Sequence, residues 1–474
     1  MTEVLLYVLG ILIFVIGLAV SIGLHEIGHL VPAKLFGVKV TQYMLGFGRT
    51  IWSKRKGETE YGVKLIPLGG YVAMTGMFPP QKPGEAARAS TTGFLNTVMQ
   101  EGSALGNAGT GPVISGDADT ELKRGITGVV EDARLASAES IEAGEDHRTF
   151  YRLPPWKKII IMLGGPVMNL VLAFVFFAIV LVGFGTPQNS TTLGQVNECL
   201  VPASSTATSC SSDDPAAPAA AAGLRPGDRI ISVDDTKITS WEQFRSLIGD
   251  APGALLNVHI ERDGAEQTVT LAPVENSRTV TDADGKIVTN ADGSAKTESV
   301  GMIGATPATE NVPQPITAVP AFVGDNVKSV AGIIVRMPER MVDVWNAAFG
   351  SEARDPNGPI SVVGVGRMAG EIVSLEDAPV AARAQTMIGL LGSLNVALFV
   401  FNLVPLMPLD GGHVIGAVYE WLKRGWAKLR RKPDPGPIDT AKMVPVTMAV
   451  AVVLGAMTVL LVYADIVKPV SLFG

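Results

Sequence analysis

Two imidazoles and a carboxylate stand together in His25-Glu26-Ile27-Gly28-His29. Positions i and i+4 share one face of a helix, so both rings can reach a single Zn²⁺ while Glu26 holds a water as general base. The motif closes an apolar stretch, residues 4–24 extended to 29, whose first 21 positions carry no charge and suffice to cross a bilayer. Ionisable groups at that depth must be compensated by a metal or a partner, which makes them a functional site by default. Histidine is scarce in this chain, 5 in 474 residues, so a chance H-E-x-x-H is improbable.

A catalytic zinc keeps three protein ligands and one water, so two histidines leave the site one ligand short. The run Asn402-Leu403-Val404-Pro405-Leu406-Met407-Pro408-Leu409-Asp410-Gly411-Gly412-His413 ends another apolar stretch. Pro405 and Pro408 break a helix at membrane depth, which is tolerated only inside protein or beside a cavity. Asp410 follows in a turn that the two glycines keep open, and it completes the zinc arithmetic. His413, three residues further on, is the competing ligand, with a supporting or substrate-binding part as its other reading.

The elements that must position these groups are membrane spans. Four stretches qualify: 4–24 with its extension, 159–184, 387–407 and 443–463. Mean hydropathy is +0.31, and 18% of residues are charged against a usual ~25%. The net charge of −7 argues against nucleic acid as a partner. Lys34, Lys39, Arg49, Lys54, Arg55, Lys56 and Lys64 follow the first span, and six more basic residues, Lys423 to Lys432, lie between the third and fourth. Positive residues stay cytoplasmic, so both termini and the region from 185 to about 386 face outside. The first span lacks a basic leader and a small-residue cleavage site, and is expected to be retained.

On these residues the chain resembles the site-2 protease family of intramembrane zinc metalloproteases, in its bacterial regulator-of-sigma-E branch. H-E-x-x-H at 25–29 and N-x-x-P-x-x-P-L-D-G-G at 402–412 carry the resemblance. Gly46-Phe47-Gly48, Ile66-Pro67-Leu68-Gly69-Gly70-Tyr71-Val72, Phe150-Tyr151, Pro155-Trp156-Lys157, Gly164-Gly165-Pro166-Val167-Met168-Asn169 and Gly358-Pro359-Ile360-Ser361 follow in the family's order. The resemblance implies His25, His29 and Asp410 as zinc ligands and Glu26 as the catalytic carboxylate. It implies a bacterial plasma-membrane enzyme whose substrates are single-pass membrane proteins such as anti-sigma factors, already cut outside by another protease.

The expected architecture is a polytopic α-helical membrane protein of four transmembrane helices, with a re-entrant β-hairpin and one extracytoplasmic PDZ domain. Residues 1–77 hold the first helix and the β region, where 41–76 alternates apolar and polar residues as short strands do. The family implies that these strands dip toward the site, Gly69 and Gly70 among its substrate-contacting positions; a plain surface sheet is the other reading. Residues 78–146 form a low-complexity insertion, expected to be disordered apart from a short helix near 131–141. Residues 147–185 hold the second helix. In 186–308, Ala222-Gly223-Leu224-Arg225-Pro226-Gly227-Asp228-Arg229-Ile230 resembles the A-G-L-x-x-G-D-x-I pattern of PDZ domains. Such a domain captures a peptide in a groove or filters substrates by size, and the residues leave both open. Cys199 and Cys210 lie in that region, where an oxidising compartment would bridge them; two free thiols in a mobile loop are the other reading. Residues 309–380 are expected to form an amphipathic helix over 318–348, on the membrane surface or packed against the PDZ domain, and a linker. Residues 381–474 hold the last two helices.

Asn169, Asn395 and Asn402 are amides in apolar spans, read either as helix–helix glue or as substrate-binding groups. Two rivals to a protease were weighed. A catalytically silent PDZ scaffold has no need of Glu26 or Asp410, and a zinc transporter would spread its acidic and histidine residues through several spans.

Overall fold

The computed structural model describes residues 2–77, 89–91, 146–200, 210, 216–280, 287–290, 294–355 and 358–470. The expected helix near 131–141 lies outside the described residues. Two compact units emerge: Met1–Gly183 with Pro315–Gly474, and Phe184–Gln314.

The first unit is helical around a β-hairpin. Helix α1, Thr2–Leu35, carries the H-E-x-x-H residues in its last three turns. The chain then doubles back through β1, Val40–Lys56, and β2, Thr59–Thr75, two 17-residue antiparallel strands. Short strands were expected here, and the reason for the difference lies in the register. Tyr43 pairs with both Val72 and Tyr61, and Met44 with both Tyr71 and Gly62. Each long strand bends and is used twice, so two strands make a ribbon four strand segments wide. Gly69 sits at one bend with φ +131°, a backbone setting that side chains avoid. The ribbon is fastened to α1 by the Tyr43 hydroxyl, which donates to the Gly23 carbonyl at 2.8 Å.

Helix α2, Pro155–Ala178, starts with proline at its first position, where the missing N–H costs nothing. Wider turns continue it to Phe184. Its backbone meets that of α1 so closely that a Cβ on either Gly28 or Gly164 would overlap the other's carbonyl.

Among the described residues, five helices are long and apolar enough to cross a membrane: Glu3–Leu35, Pro155–Phe184, Ile316–Val335, Val380–Asn402 and Val444–Val467. All four expected spans are among them. The fifth falls where one surface helix was expected over 318–348, and two helices form there instead. Pro338 splits the stretch into α4, Val319–Val335, and α5, Met337–Phe349; α3 belongs to the second unit, below. Val319 and Val323 of α4 pack with Ala173, Phe177 and Leu181 of α2 and its continuation. Helix α6, Val362–Ser374, is capped by the Ser361 hydroxyl and lies against Phe14 of α1. Helix α7, Val380–Asn402, stops at Asn402 rather than running on to 407. A turn through Leu403–Leu409 leads into α8, Asp410–Leu429, and α9, Val444–Val467, ends the described chain.

The second unit is a sheet with a short helical turn, Pro218–Ala221, and a longer helix packed on it. Strands β3 (Thr186–Val196), β4 (Arg229–Val233), β5 (Leu256–Arg262), β6 (Ala265–Leu271) and β9 (Ala305–Val312) run in the order β9-β3-β4-β5-β6. A separate ladder joins β7, Val274–Thr279, and β8, Thr297–Met302. Helix α3, Trp241–Gly249, begins at a Ser240 cap and buries Trp241, Phe244 and Ile248 on the sheet. Cys199 and Cys210 are bridged.

The Gly223–Ile230 loop is held by one carboxylate. Asp228, 1% exposed, accepts from the Arg225 amide at 2.7 Å and from Arg262 Nε and Nη2, each at 2.7 Å. Burial works to raise its pKa, but the Arg262 hydrogen bonds and the Arg225 amide outweigh it and hold the carboxyl below its usual range. A depressed carboxylate contributes stability above its unfolded pKa and loses it as pH falls through the folded value. Asp228→Ala should therefore destabilise this unit by about 2 kcal/mol, because it leaves the Arg225 amide without its acceptor and removes both Arg262 hydrogen bonds to the carboxylate. Thermal unfolding of the purified chain would show the loss at pH 7, and the gap from wild type should narrow as the buffer is acidified below the ordinary carboxylate range.

Candidate active site

Three side chains from two distant parts of the sequence converge at one point. His25 Nε2 lies 3.2 Å from His29 Nε2, and each stands 3.3 Å from Asp410 Oδ2. One ligand atom from each residue lies within 4.8 Å of the others, and all three residues are buried. Helical spacing in α1 supplies the histidine pair. The 403–409 turn and the first turn of α8 supply Asp410, whose charge is favoured at a helix N-terminus. Gly411 and Gly412 differ from expectation: they lie in that first helical turn rather than in an open loop. A Cβ on Gly412 would stand 2.7 Å from the Leu406 carbonyl carbon, so the glycines let α8 start hard against the preceding turn.

The donor set fits a divalent metal. Asp410 Oδ2 is buried and has no hydrogen-bond partner, although two imidazole nitrogens face it. An orphaned carboxylate oxygen inside protein is costly, and a cation shared with two neutral imidazoles removes the cost. Two nitrogens, one oxygen and room for a water are the ligand set of a catalytic zinc. His29 is already oriented for it: Nδ1 lies 2.8 Å from the Ile161 carbonyl, which can only accept, so Nε2 carries the lone pair.

Glu26 is 4% exposed, one residue from His25, and the β-ribbon passes directly over it. A Cβ on Gly70 would lie 2.9 Å from Glu26 Cγ. Gly70 pairs with Leu45 in the ribbon, so the hairpin backbone forms one wall of the carboxylate's chamber. Gly69 next to it has its open side filled by the Phe47 ring. Asn169 is fully buried on α2 with its amide nitrogen 3.0 Å from His25 Nδ1. Asn395 is equally buried and donates to Ser21 Oγ at 3.0 Å and to the Leu391 carbonyl at 2.8 Å, tying α7 to α1. Asn402 is half-buried at the last position of α7. His413 is on α8 beside Lys158 and Glu420, lining a small cavity with Tyr151, and is outside the three-residue cluster.

Two supports were not singled out as functional from sequence. Gly165 is the first: a Cβ there would stand 2.7 Å from His25 Nε2 and would overlap His29 Nε2, so only glycine leaves room for both rings. A glycine pair inside an apolar helix was the visible signal. Lys158 and Glu420 are the second, a 2.8 Å pair with side chains 6% and 4% exposed that joins α2 to the helix bearing Asp410. Single charges flanking apolar segments do not announce such a partner 262 positions away.

The match to known proteins agrees with this geometry. Residues 13–433 match the model of peptidase family M50, which is most of the chain. Zinc metalloprotease Rip1 of Mycobacterium bovis is 30% identical, with 99% of this chain and 100% of the relative aligned. Rip1 of Mycolicibacterium smegmatis is 29% identical over the same shares. Metalloprotease MmpA of Caulobacter vibrioides is 26% identical across 86% of this chain and 85% of its own length. The chain belongs to peptidase family M50, the site-2 protease family that the two motifs pointed to, and it is a zinc metalloendopeptidase of a multi-pass membrane type. A silent scaffold is not favoured.

The two glycines separate binding from chemistry. Gly165→Ala should abolish stoichiometric zinc in the purified protein, measured by atomic emission. Gly70→Ala should keep the zinc yet lower kcat by about 100-fold, because an ångström of displacement at a catalytic group costs that much.

Proposed function

We propose that the chain cuts transmembrane segments of single-pass membrane proteins, close to the cytoplasmic face, with anti-sigma-factor-like proteins as substrates. The observation that carries this is the convergence of His25, His29 and Asp410 beside Glu26 at the ends of apolar helices. His25, His29 and Asp410 are the proposed zinc ligands. Held there, zinc would polarise the scissile carbonyl and lower the pKa of a bound water. Glu26 takes the water's proton and returns it to the leaving amine, with the Gly70 backbone limiting its swing.

A substrate helix hides its carbonyls in i→i−4 bonds, so it must be held extended near the site. The β-ribbon, read as re-entrant, supplies strand edges for that, with Gly69, Gly70 and Asn402 as substrate-contacting residues. Ile51, Trp52, Leu65 and Ile66 are exposed on it, as suits a surface dipping among lipid tails.

Helix direction supports the topology with both termini outside. His25 and His29 lie toward the C-terminal end of α1, and Asp410 follows the C-terminal end of α7. Those helices therefore run the same way, and Ile316–Val335 cannot be an unpaired crossing between them; any passage it makes is returned by 337–379. Lys and Arg beyond α1 and along α8 favour the cytoplasmic side for the site.

The second unit is read as a PDZ domain over 186–308. Its cavity of about 770 Å³, lined by Trp241, Phe244, Ile248, Met302 and the Cys199–Cys210 bridge, suits an extended peptide.

Co-expression with a tagged anti-sigma-type protein truncated at its outer cut is the direct test, comparing wild type with Glu26→Gln. A shorter cytoplasmic fragment should appear with wild type alone. Equal fragment from both would remove Glu26 as the base.

A further inference from the structure

The two histidines of the site are not oriented alike. The Nδ1 of His29 faces a backbone carbonyl, so its hydrogen sits on Nδ1 and Nε2 is free to bind. The Nδ1 of His25 faces the Asn169 amide nitrogen at 3.0 Å. In that orientation the amide donates to a bare Nδ1, and a neutral His25 must carry its hydrogen on Nε2. That hydrogen sits on the nitrogen 3.2 Å from His29 Nε2, where a metal would lie. Meanwhile Asn169 Oδ1, on a side chain with 0% exposure, has no hydrogen-bond partner.

Both oddities have one resolution. A carboxamide is nearly symmetric in shape, and a half-turn about its last torsion exchanges donor for acceptor. Turned, Oδ1 accepts Nδ1–H from His25 and Nε2 is left with its lone pair facing the site. Asn395 shows an outlet for the NH₂ group so displaced, since its own amide donates to a carbonyl one helical turn back.

We propose that Asn169 is the positioning residue of His25: its amide oxygen is the atom that faces Nδ1, and it fixes the imidazole in the tautomer that ligates through Nε2. This goes beyond the zinc-protease reading and rests on it. Asn169 touches neither water nor substrate in this role; it acts through the ring. A carboxylate or carbonyl behind a ligating histidine tunes metal affinity by about 10–100-fold in comparable sites.

The test is zinc affinity of the full-length protein, by competition against a chromophoric chelator, with wild type, Asn169→Ala, Asn169→Asp and His25→Ala. Asn169→Ala should weaken zinc binding about 10–100-fold. Asn169→Asp, which offers only acceptor oxygens, should stay within a few-fold of wild type, a rescue that a packing role would not give. Ala binding as tightly as wild type, or Asp as weak as Ala, overturns the assignment. Wild type that takes no zinc, or takes it as well without the His25 ring, overturns the metal site itself and this proposal with it.

Discussion

A buried carboxylate sets the terms for the first unit. Asp410 is 4% exposed and surrounded by apolar helices, and one of its oxygens has only two imidazole nitrogens for company. An isolated charge in such a place is expensive enough that the fold must bring compensation to it. The two rings come from a helix almost four hundred positions earlier in the chain. Everything between them therefore has to return to the same depth with the same direction of travel, which is why α1 and α7 run parallel and α2 runs against them.

Closeness of α1 and α2 is what makes the meeting accurate. At Gly28 and Gly164 the two backbones touch, and the next residue, Gly165, leaves the space that both rings occupy. Larger residues would hold the helices apart and the rings with them. Farther along, the Lys158–Glu420 pair joins the start of α2 to α8, the helix whose first residue is Asp410. Neither group is exposed, and Glu420 is also held by Arg424 at 2.9 Å, so it is loss of the carboxylate that strands Lys158, at about 3–5 kcal/mol. Glycine contacts and an ion pair thus fix opposite sides of one site.

Much of this was legible in the residues because the chemistry is local. H-E-x-x-H encodes its own geometry through the i, i+4 rule, and L-D-G-G announces itself by prolines and glycines in an apolar run. The four expected spans were read from hydropathy alone. What sequence hid was relational. Alternation over 41–76 gave strands but not the doubled register, because period two is the same for four short strands and for two long bent ones. Apolar spacing over 318–348 gave helix, yet Pro338 decides where it breaks and burial on Phe177 decides what covers it. Asn169 was visible as an amide in a span, and nothing in its neighbours along the chain pointed to His25, 144 positions away.

In the proposed reading, the β-ribbon is what lets a helical membrane unit hold an unwound substrate. Hydrocarbon leaves no water to satisfy freed amides, so an extended segment is stable there only against protein hydrogen-bonding groups. The ribbon contributes backbone at the one place where it can also touch chemistry, since Gly70 lies against Glu26 while its neighbours pair with β1. A side chain at that position would push Glu26 away; a helix there would offer no free edge. Glycine in a strand ordinarily weakens the sheet. Here the weakness is offset by Tyr43, whose hydroxyl binds the ribbon to α1 at Gly23, two residues before the first histidine. The strand that lies against Glu26 and the helix that carries Glu26 are therefore anchored to each other within one helical turn of the first histidine.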